Sequence, residues 1–384
     1  RPPRSTLFPY TTLFRSSYAG MADIAMETGD VDYLSAVTAL WDNLVNKKYY
    51  LTGGIGSGET SEGFGPNYSL PHNAYCESCS SCGMIMFLHR LNMIYHDARY
   101  ADLYEETLFN ALLGSIDLEG ANFYYQNPLD SHGFRYDWHS CPCCVGNIPR
   151  VLLMLPTWTY VRGPDAIYVN LFVGGSMTVE DCAGTDVRIV QTTNYPWDGE
   201  VKIELHPEQP REFELHIRIP NRSVSTLYES TPELDGITAL SLNGEPVAYE
   251  TRRGYAVLRR TWATGDTIAL TMPMGVQRVT GIDQINATQG RVALKYGPLV
   301  YAFEQVDQDL EQPLPSNTPL TTHWQEDLLG GVLTIQGEWA DNSPLLAIPY
   351  YARDNRQPQT PTDGSAPEQR RRRGLNSRVW VRHD

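Results

Sequence analysis

The sequence lacks any long apolar run and any excess of basic residues. No stretch approaches the roughly 18 consecutive apolar residues of a membrane-spanning helix, which argues against an integral membrane protein. The 384 residues include 30 Lys and Arg but 45 Asp and Glu, giving a formal net charge of −15. Nucleic acids and anionic membranes attract proteins that have a basic face. We therefore expect neither a nucleic acid nor a membrane as a partner.

Cysteine is scarce and unevenly distributed. Most of the 7 cysteines lie between positions 76 and 144, and Cys182 is alone. The odd count and the adjacent pair Cys143–Cys144 do not suit a disulfide framework. Such clustering favours metal ligation or thiol chemistry in a reducing compartment, so a cytoplasmic location is expected.

The two ends of the sequence have unusual compositions. Residues 1–16 lack the charged start, apolar run and cleavage site of a signal peptide. Within them, Leu7–Ser16 reads LFPYTTLFRS and resembles the translation of a common sequencing adapter. We therefore treat residues 1–16 as a probable artefact and expect the native chain to begin further upstream. Gln357–Gly374 is rich in Pro, Gln and Arg, which predicts a disordered, solvated insertion near 354–376.

The period of the hydrophobic pattern changes along the chain. Apolar residues recur at spacings of three and four from Tyr18 to about Arg150, as in the stripe from Tyr33 to Val45, which predicts helices. From about Leu155 the period becomes two, as in Phe213–Ile219, and turn signals such as Asn243-Gly244 separate the runs. The fold class predicted is therefore α+β and multidomain, with helices first and antiparallel β-sandwiches after them.

The densest group of chemically reactive side chains is split between two segments. The first is YCESCSSC at 75–82, and the second is HSCPCC at 139–144. Thiolates and a carboxylate suit Zn²⁺, which takes four tetrahedral ligands. The spacing alone leaves open a structural zinc site, a catalytic thiolate site and ordinary buried cysteines. Glu77 favours a metal modestly, because burying a carboxylate is costly unless it is paired or ligates an ion; the alternative is a Glu placed at a helix N-terminus by the helix dipole.

A glycine-rich loop, TGGIGSGETSEGFG, occupies positions 52–65 between two helical segments. No P-loop lysine follows it, so a phosphate cradle is not indicated. Such a loop lets the backbone approach a ligand closely. A Glu on it could act as an acid/base group, whereas the default is a solvated side chain. Aromatic residues near Phe123–Tyr125 and at Trp138 could stack on sugars or pack in the core.

Several motifs together resemble glycoside hydrolase family 127, the β-L-arabinofuranosidase family. The resemblance covers roughly residues 17–384. The motifs that carry it are TGGIG (52–56), YSLPHNAYCESC (68–79), YADLYEETLFNALL (100–113), NFYYQNPLD (122–130), CPCCVGNIPR (141–150), YPWDGEV (195–201), LHIRIPNR (215–222) and GRVALKYGPLVYAFE (290–304).

The resemblance implies a fold and a domain division. Family members have an (α/α)6 barrel followed by β-sandwiches, and this chain would keep only the later barrel helices. The expected domains are a partial catalytic barrel over 17–155, β-sandwich I over 156–275 and β-sandwich II over 276–384.

The resemblance also implies a metal centre. Carried onto this sequence, it gives Zn²⁺ as the cofactor, with Glu77, Cys79, Cys143 and Cys144 as its ligands. Three further cysteines nearby, Cys76, Cys82 and Cys141, could compete for the ion.

The same resemblance implies a retaining glycosidase. Cys143 would be the nucleophile and Glu62 the acid/base, while Glu105 and Tyr125 occupy positions expected to contact the sugar. The expected substrates are arabinofuranose-containing oligosaccharides or glycopeptides. Two alternatives are a hydrolase of another furanose-like sugar and a non-catalytic zinc scaffold with sugar-binding sandwiches. An N-terminally truncated chain would also be expected to lose sugar-binding groups, so it could be inactive.

Overall fold

The fold begins with helices and continues with β-strands, so the predicted α+β order is confirmed. A computed structural model describes residues 10–58, 62–132, 135–356 and 376–384, with residues 10–16 described by their backbone alone. The α-helices in these ranges are α1 (Tyr10–Thr28), α2 (Val31–Lys47), α3 (Ser78–Tyr95), α4 (Ala98–Thr107), α5 (Cys143–Leu153) and α6 (Leu155–Thr159). A π-helical turn (Leu108–Leu112) and a 3₁₀ turn (Leu113–Ser115) continue α4.

The helical part is organised around α3, which packs against α1, α4 and α5. Helix α2 shows how the sequence sets a boundary: Asp30 caps its N-terminus by accepting hydrogen bonds from the backbone N–H groups of Asp32 and Tyr33. The predicted stripe on this helix points inward, with Val37 and Leu44 buried. Because α3 is surrounded, nearly all of its first four turns are buried.

The strands follow from residue 160 onward. They are β1 (Tyr160–Arg162), β2 (Ala166–Val169), β3 (Gly175–Cys182), β4 (Thr185–Thr193), β5 (Glu200–Pro207), β6 (Arg211–Arg218), β7 (Tyr228–Thr231), β8 (Ala239–Leu242), β9 (Glu245–Pro246), β10 (Glu250–Arg252), β11 (Tyr255–Trp262), β12 (Asp266–Thr271), β13 (Val276–Gly281), β14 (Arg291–Tyr296), β15 (Leu299–Glu304), β16 (Thr321–Gln325), β17 (Val332–Glu338), β18 (Pro344–Pro349), β19 (Ser377–Arg378) and β20 (Val381–Arg382).

The first two sheets form a sandwich. One has the strand order β1-β2-β6-β11-β10, and the other β3-β4-β5-β12-β8-β9. Their alternating apolar residues share one core, in which Leu215 and Ile217 of β6 meet Ile203 and Leu205 of β5. All pairings in both sheets are antiparallel except β2 with β6.

The third sheet has the order β16-β17-β18-β15-β14-β13-β7, with β19 paired to β15 and β20 to β14. Its central strand faces two cores, because side chains alternate across a strand. In β15, Leu299, Tyr301 and Phe303 pack into the sheet's own core, while Val300 and Ala302 pack against the helical part. The helices therefore lie on one face of this sheet.

Two features of the structure lie inside or at the edges of the predicted ranges. Strand β7 lies inside the range predicted for β-sandwich I but pairs with β13 of the third sheet, so the chain crosses between the β units before residue 275. At the edges of the predicted insertion, Asp354 and Asn376 are buried and hydrogen-bonded to each other at 2.6 Å. Most of the insertion, 357–375, and most of the adapter-like segment lie outside the described residues. No helix in the described ranges is long and apolar enough to cross a membrane.

Candidate metal centre and active site

The N-termini of α3 and α5 bring four potential ligands together. Glu77 is the N-cap of α3 and Cys79 lies in its first turn, while Cys143 and Cys144 open α5. Glu77 makes no side-chain capping bond to α3. Instead, its carboxylate and the three sulfurs offer ligand atoms that all lie within 4.8 Å of one another. The four predicted ligands are thus placed in one cluster.

The distances within this cluster suit a single ion. The sulfurs of Cys79 and Cys144 are 3.3 Å apart, and those of Cys143 and Cys144 are 3.9 Å apart. Oε1 of Glu77 lies 3.4 Å from the Cys143 sulfur and 3.6 Å from the Cys144 sulfur. A tetrahedral ion with bonds of about 2.3 Å to sulfur separates its ligands by about 3.8 Å. The donor set therefore fits a small divalent metal.

The local electrostatics favour negative charge on one of these groups, the sulfur of Cys143. The N-terminus of an α-helix carries partial positive charge, and both α3 and α5 direct this end at the cluster. Hydrogen bonds from Cys144 and Cys79 lower the pKa of the Cys143 thiol far below its usual value. The same interaction with Cys143 raises the pKa of Cys144, because the proton stays on its sulfur.

Tyr125 joins this cluster to Glu62. Its hydroxyl lies 3.4 Å from the Cys143 sulfur and donates a hydrogen bond to Oε1 of Glu62 at 3.0 Å. The backbone places Tyr125 here, because its carbonyl accepts a hydrogen bond from the N–H of Ser78 at the start of α3. Burial raises the pKa of Tyr125, so the phenol stays protonated and can donate.

The glycine-rich loop brings Glu62 into this site. The carbonyl of Gly58 accepts a hydrogen bond from the N–H of Tyr75 at 2.7 Å, and the N–H of Gly58 donates to Gly63 at 3.0 Å. These bonds pin both sides of the loop tip, of which residues 59–61 lie outside the described part. Glu62 is consequently only 7% exposed and is not the solvated side chain that a loop glutamate is by default.

The remaining cysteines are not members of the four-residue group. Cys76 and Cys82 are buried elsewhere in the helical core, and Cys182 is buried between the first two sheets. Cys141 comes nearest, with its sulfur 3.6 Å from that of Cys143. Within the described ranges, the cluster with Glu77 is the only group of three or more His, Cys, Asp or Glu side chains whose ligand atoms lie close enough together to hold one ion.

Glu105 is not one of the four clustered residues, and other side chains bind its carboxylate. Its carboxylate accepts hydrogen bonds from Arg218 and, at 2.9 Å, from the hydroxyl of Tyr195. Asp102 shares the same guanidinium at 2.6 Å. Since Arg218 ends strand β6, these bonds join α4 to the first sandwich. These contacts form a buried ion pair, and the sugar contact expected of Glu105 from the sequence stays a prediction.

Two further side chains at the site carried no sequence-based role. The ring of His139 packs on the ring of Tyr125 with centroids 4.2 Å apart. The side-chain amide of Asn147 donates to the sulfur of Cys79 at 3.2 Å. His139 and Asn147 lie in the conspicuous segment HSCPCCVGN, but hydrophobic periodicity cannot reveal contacts to another helix. Trp138, adjacent in sequence to His139, is 63% exposed.

Comparison with protein families gives one consistent result along the chain. Residues 10–156 match the model of the β-L-arabinofuranosidase GH127 catalytic domain. Residues 166–274 match the GH127 middle domain, and residues 276–362 match the glycoside hydrolase family 127 C-terminal domain.

Individual relatives agree with this result. A curated relative, the non-reducing end β-L-arabinofuranosidase of Bifidobacterium longum subsp. longum, is 30% identical over 386 residues, which cover 88% of this chain and 56% of the relative. Among solved structures, one described as a GH127 β-arabinofuranosidase has a TM-score of 0.87 at 31% identity and covers 97% of this chain and 60% of its own. A GH127 β-L-arabinofuranosidase from Geobacillus stearothermophilus T6 has a TM-score of 0.83 at 33% identity, with coverages of 96% and 59%. The chain thus spans little more than half the length of the relatives it matches.

Proposed function

The chain belongs to glycoside hydrolase family 127, and from this membership we propose that it hydrolyses β-L-arabinofuranosides with retention of configuration. The observation that carries the proposal is the position of the Cys143 sulfur. It lies 3.4 Å from a carboxylate oxygen of the metal-binding group and 3.4 Å from the Tyr125 hydroxyl that also binds Glu62. A nucleophile, an acid and a metal-ligand set are therefore contiguous.

The proposal includes the identity of the ion and of the helical fold. Three sulfurs and one carboxylate form a donor set suited to Zn²⁺, held by Glu77, Cys79, Cys143 and Cys144. When bound, the ion would keep the ligating thiols deprotonated at neutral pH. We also propose that the helices α1 to α6 are part of an (α/α)6 barrel, the architecture expected of the family.

In the first step, Cys143 acts as the nucleophile. Its thiolate attacks the anomeric carbon of the arabinofuranosyl unit, and the bond from that carbon to the leaving oxygen breaks. Glu62, in its protonated form, donates its proton to the leaving oxygen. The product of this step is a thioglycosyl bond between the sugar and Cys143, together with the free alcohol.

In the second step, the carboxylate of Glu62 takes a proton from water. The water oxygen attacks the anomeric carbon, the carbon–sulfur bond breaks, and the thiolate of Cys143 is restored. Retaining enzymes hold their two groups roughly 5–5.5 Å apart. The two contacts of the Tyr125 hydroxyl keep Glu62 and Cys143 within a comparable range.

Substitution of the two catalytic groups tests the proposal with a synthetic aryl β-L-arabinofuranoside. Cys143→Ala should abolish hydrolysis, because no other group can form the glycosyl bond. Glu62→Gln should slow hydrolysis strongly for a poor leaving group and much less for a dinitrophenyl leaving group, which needs no proton. NMR of the first product formed by the wild type should show the same anomer as the substrate.

Cys182→Ser is the matched control, since Cys182 is also a free cysteine but is buried between the sheets. It should retain wild-type activity. Undiminished hydrolysis by Cys143→Ala would refute the proposed nucleophile. An intact wild type that binds Zn²⁺ and arabinofuranosides but never hydrolyses them would instead indicate the non-catalytic scaffold. Faster turnover of a different furanoside would redirect the proposed specificity.

A further inference from the structure

Asn147 connects the two helices that carry the proposed metal ligands. It lies on α5, three residues after Cys144, and its side-chain nitrogen donates a hydrogen bond of 3.2 Å to the sulfur of Cys79 on α3. Residues three and four apart share one face of a helix. The face of α5 that presents Cys143 and Cys144 therefore also presents a donor to the third sulfur.

The orientation of this amide is fixed by a second contact. Arg150, one turn further along α5, donates to Oδ1 of Asn147 at 2.7 Å. A guanidinium group can only donate, so the amide oxygen must face Arg150 and the NH₂ group must face the sulfur. Arg150 therefore donates to Asn147, and Asn147 in turn donates to the sulfur of Cys79.

We propose that Asn147 is a positioning residue for the metal centre. It fixes the position of the Cys79 sulfur relative to the sulfurs of Cys143 and Cys144 and thereby strengthens metal binding. The inference rests on the metal site of the proposed function. Asn147 does not ligate the ion and does not touch the anomeric carbon in this scheme. It acts through Cys79.

The physical basis is the charge and mobility of an anionic sulfur. A thiolate bound to a metal retains acceptor capacity, and an N–H donor disperses part of its negative charge. The Cys79 sulfur is also 3.3 Å from that of Cys144. If an ion deprotonates both, the two thiolates would repel each other, and a donor that disperses the charge on Cys79 would reduce this repulsion. Asn147 supplies a neutral donor from the same helix as Cys144, which fixes this spacing without adding charge. Partners of this kind are typically worth about 10–100-fold in metal affinity.

The test compares two substitutions by competition for Zn²⁺ against a chromogenic chelator. Asn147→Leu removes the donor at similar volume, and Asn147→Asp keeps the shape but places an anion beside the sulfur. Each variant should bind Zn²⁺ about 10–100-fold more weakly than the wild type. In the Co²⁺-substituted forms, the intensity of the thiolate-to-metal absorption should fall for the same two variants.

Asn342→Asp is the matched control, because it makes the same chemical change at an exposed turn after β17. It should bind Zn²⁺ like the wild type. Circular dichroism in chelator verifies that each variant folds. If the Leu variant does not fold, the isosteric Asp variant alone provides the test. Wild-type affinity in both folded variants would overturn the inference. The titration contains no glycoside, so a protein that shows the expected affinities but no hydrolysis refutes the proposed function alone.

Discussion

The Tyr125 hydroxyl donates a hydrogen bond to the Glu62 carboxylate at 3.0 Å. The same oxygen lies 3.4 Å from the sulfur of Cys143. One phenol thus touches both groups that the proposed mechanism uses, one from the glycine-rich loop and one from α5. Its ring is supported by His139, whose centroid is 4.2 Å away. Tyr125 is therefore placed to align the acid and the nucleophile as well as to contact a sugar.

Tyr125→Phe separates these two roles. A hydrogen bond to a charged group is worth about 1.5–3 kcal/mol, so losing the alignment should lower kcat about 10–100-fold. KM and Zn²⁺ content should change little, because the ring and the four ligands remain. Steady-state kinetics with metal analysis measures this, with Tyr249→Phe, at a half-exposed tyrosine, as the control. A higher KM at unchanged kcat would instead assign Tyr125 to sugar binding alone.

The sequence was most informative where one period dominates a segment. The apolar stripe of α2 and the alternation in β5 and β6 identify the buried faces, since a helix and a strand repeat every 3.6 and 2 residues. Hydrophobic alternation did not predict strand β7. Its residues Tyr228–Thr231 are only half-buried and carry no apolar alternation, and their partner in β13 is chosen by tertiary packing.

Side-chain partners were less predictable than elements. The resemblance to a known family named Glu77, Cys79, Cys143 and Cys144, and the structure places these four together. Periodicity alone left the ligand choice among the cysteines open. Glu105 gives another example, since its partner Arg218 is 113 residues away in sequence and no local pattern indicates that ion pair.

Removal of the metal should destabilise the helical part. The proposed ligands lie on two helices, so an ion links α3 to α5 in the folded state only. An ion present at about 100 times its dissociation constant adds about 2.7 kcal/mol of stability, which for a chain of 384 residues corresponds to a fall in Tm of about 3 °C on chelation. Calorimetry with and without chelator measures the shift. Glu77→Gln should show a smaller shift, and identical melting of the wild type in both conditions would contradict the expected metal site.

Arg218→Met should strongly destabilise the contact between α4 and the first sandwich. The Arg218 side chain is 1% exposed and pairs with the carboxylates of Asp102 and Glu105. Removing one partner of a buried ion pair leaves uncompensated charge and typically costs about 3–5 kcal/mol. Urea unfolding measures the loss. The control is Arg252→Met, whose side chain is 44% exposed and whose ion pairs are screened by solvent, so that its loss of unfolding free energy should be much smaller. Equal losses of unfolding free energy in the two variants would show that the buried ion pair stabilises the protein no more than the exposed one.

Acid should destabilise the protein through a buried histidine of α3. Burial lowers the pKa of His89 to about 4, and its ring packs edge-on against Trp158 at 4.7 Å. With a usual pKa of 6.5, the unfolded chain binds this proton more readily than the folded one, so the free energy of unfolding must fall as the pH drops from about 6.5 to 4. His89→Phe keeps a ring in the core but cannot bind a proton, and it should lose about 2–3 kcal/mol less than the wild type over this range. Urea unfolding at both pH values, in chelator so that metal release does not contribute, gives the difference. His323→Phe, at an exposed position in β16, should keep the wild-type pH dependence; the same dependence in His89→Phe would mean that other groups, such as the buried His72, account for the acid sensitivity.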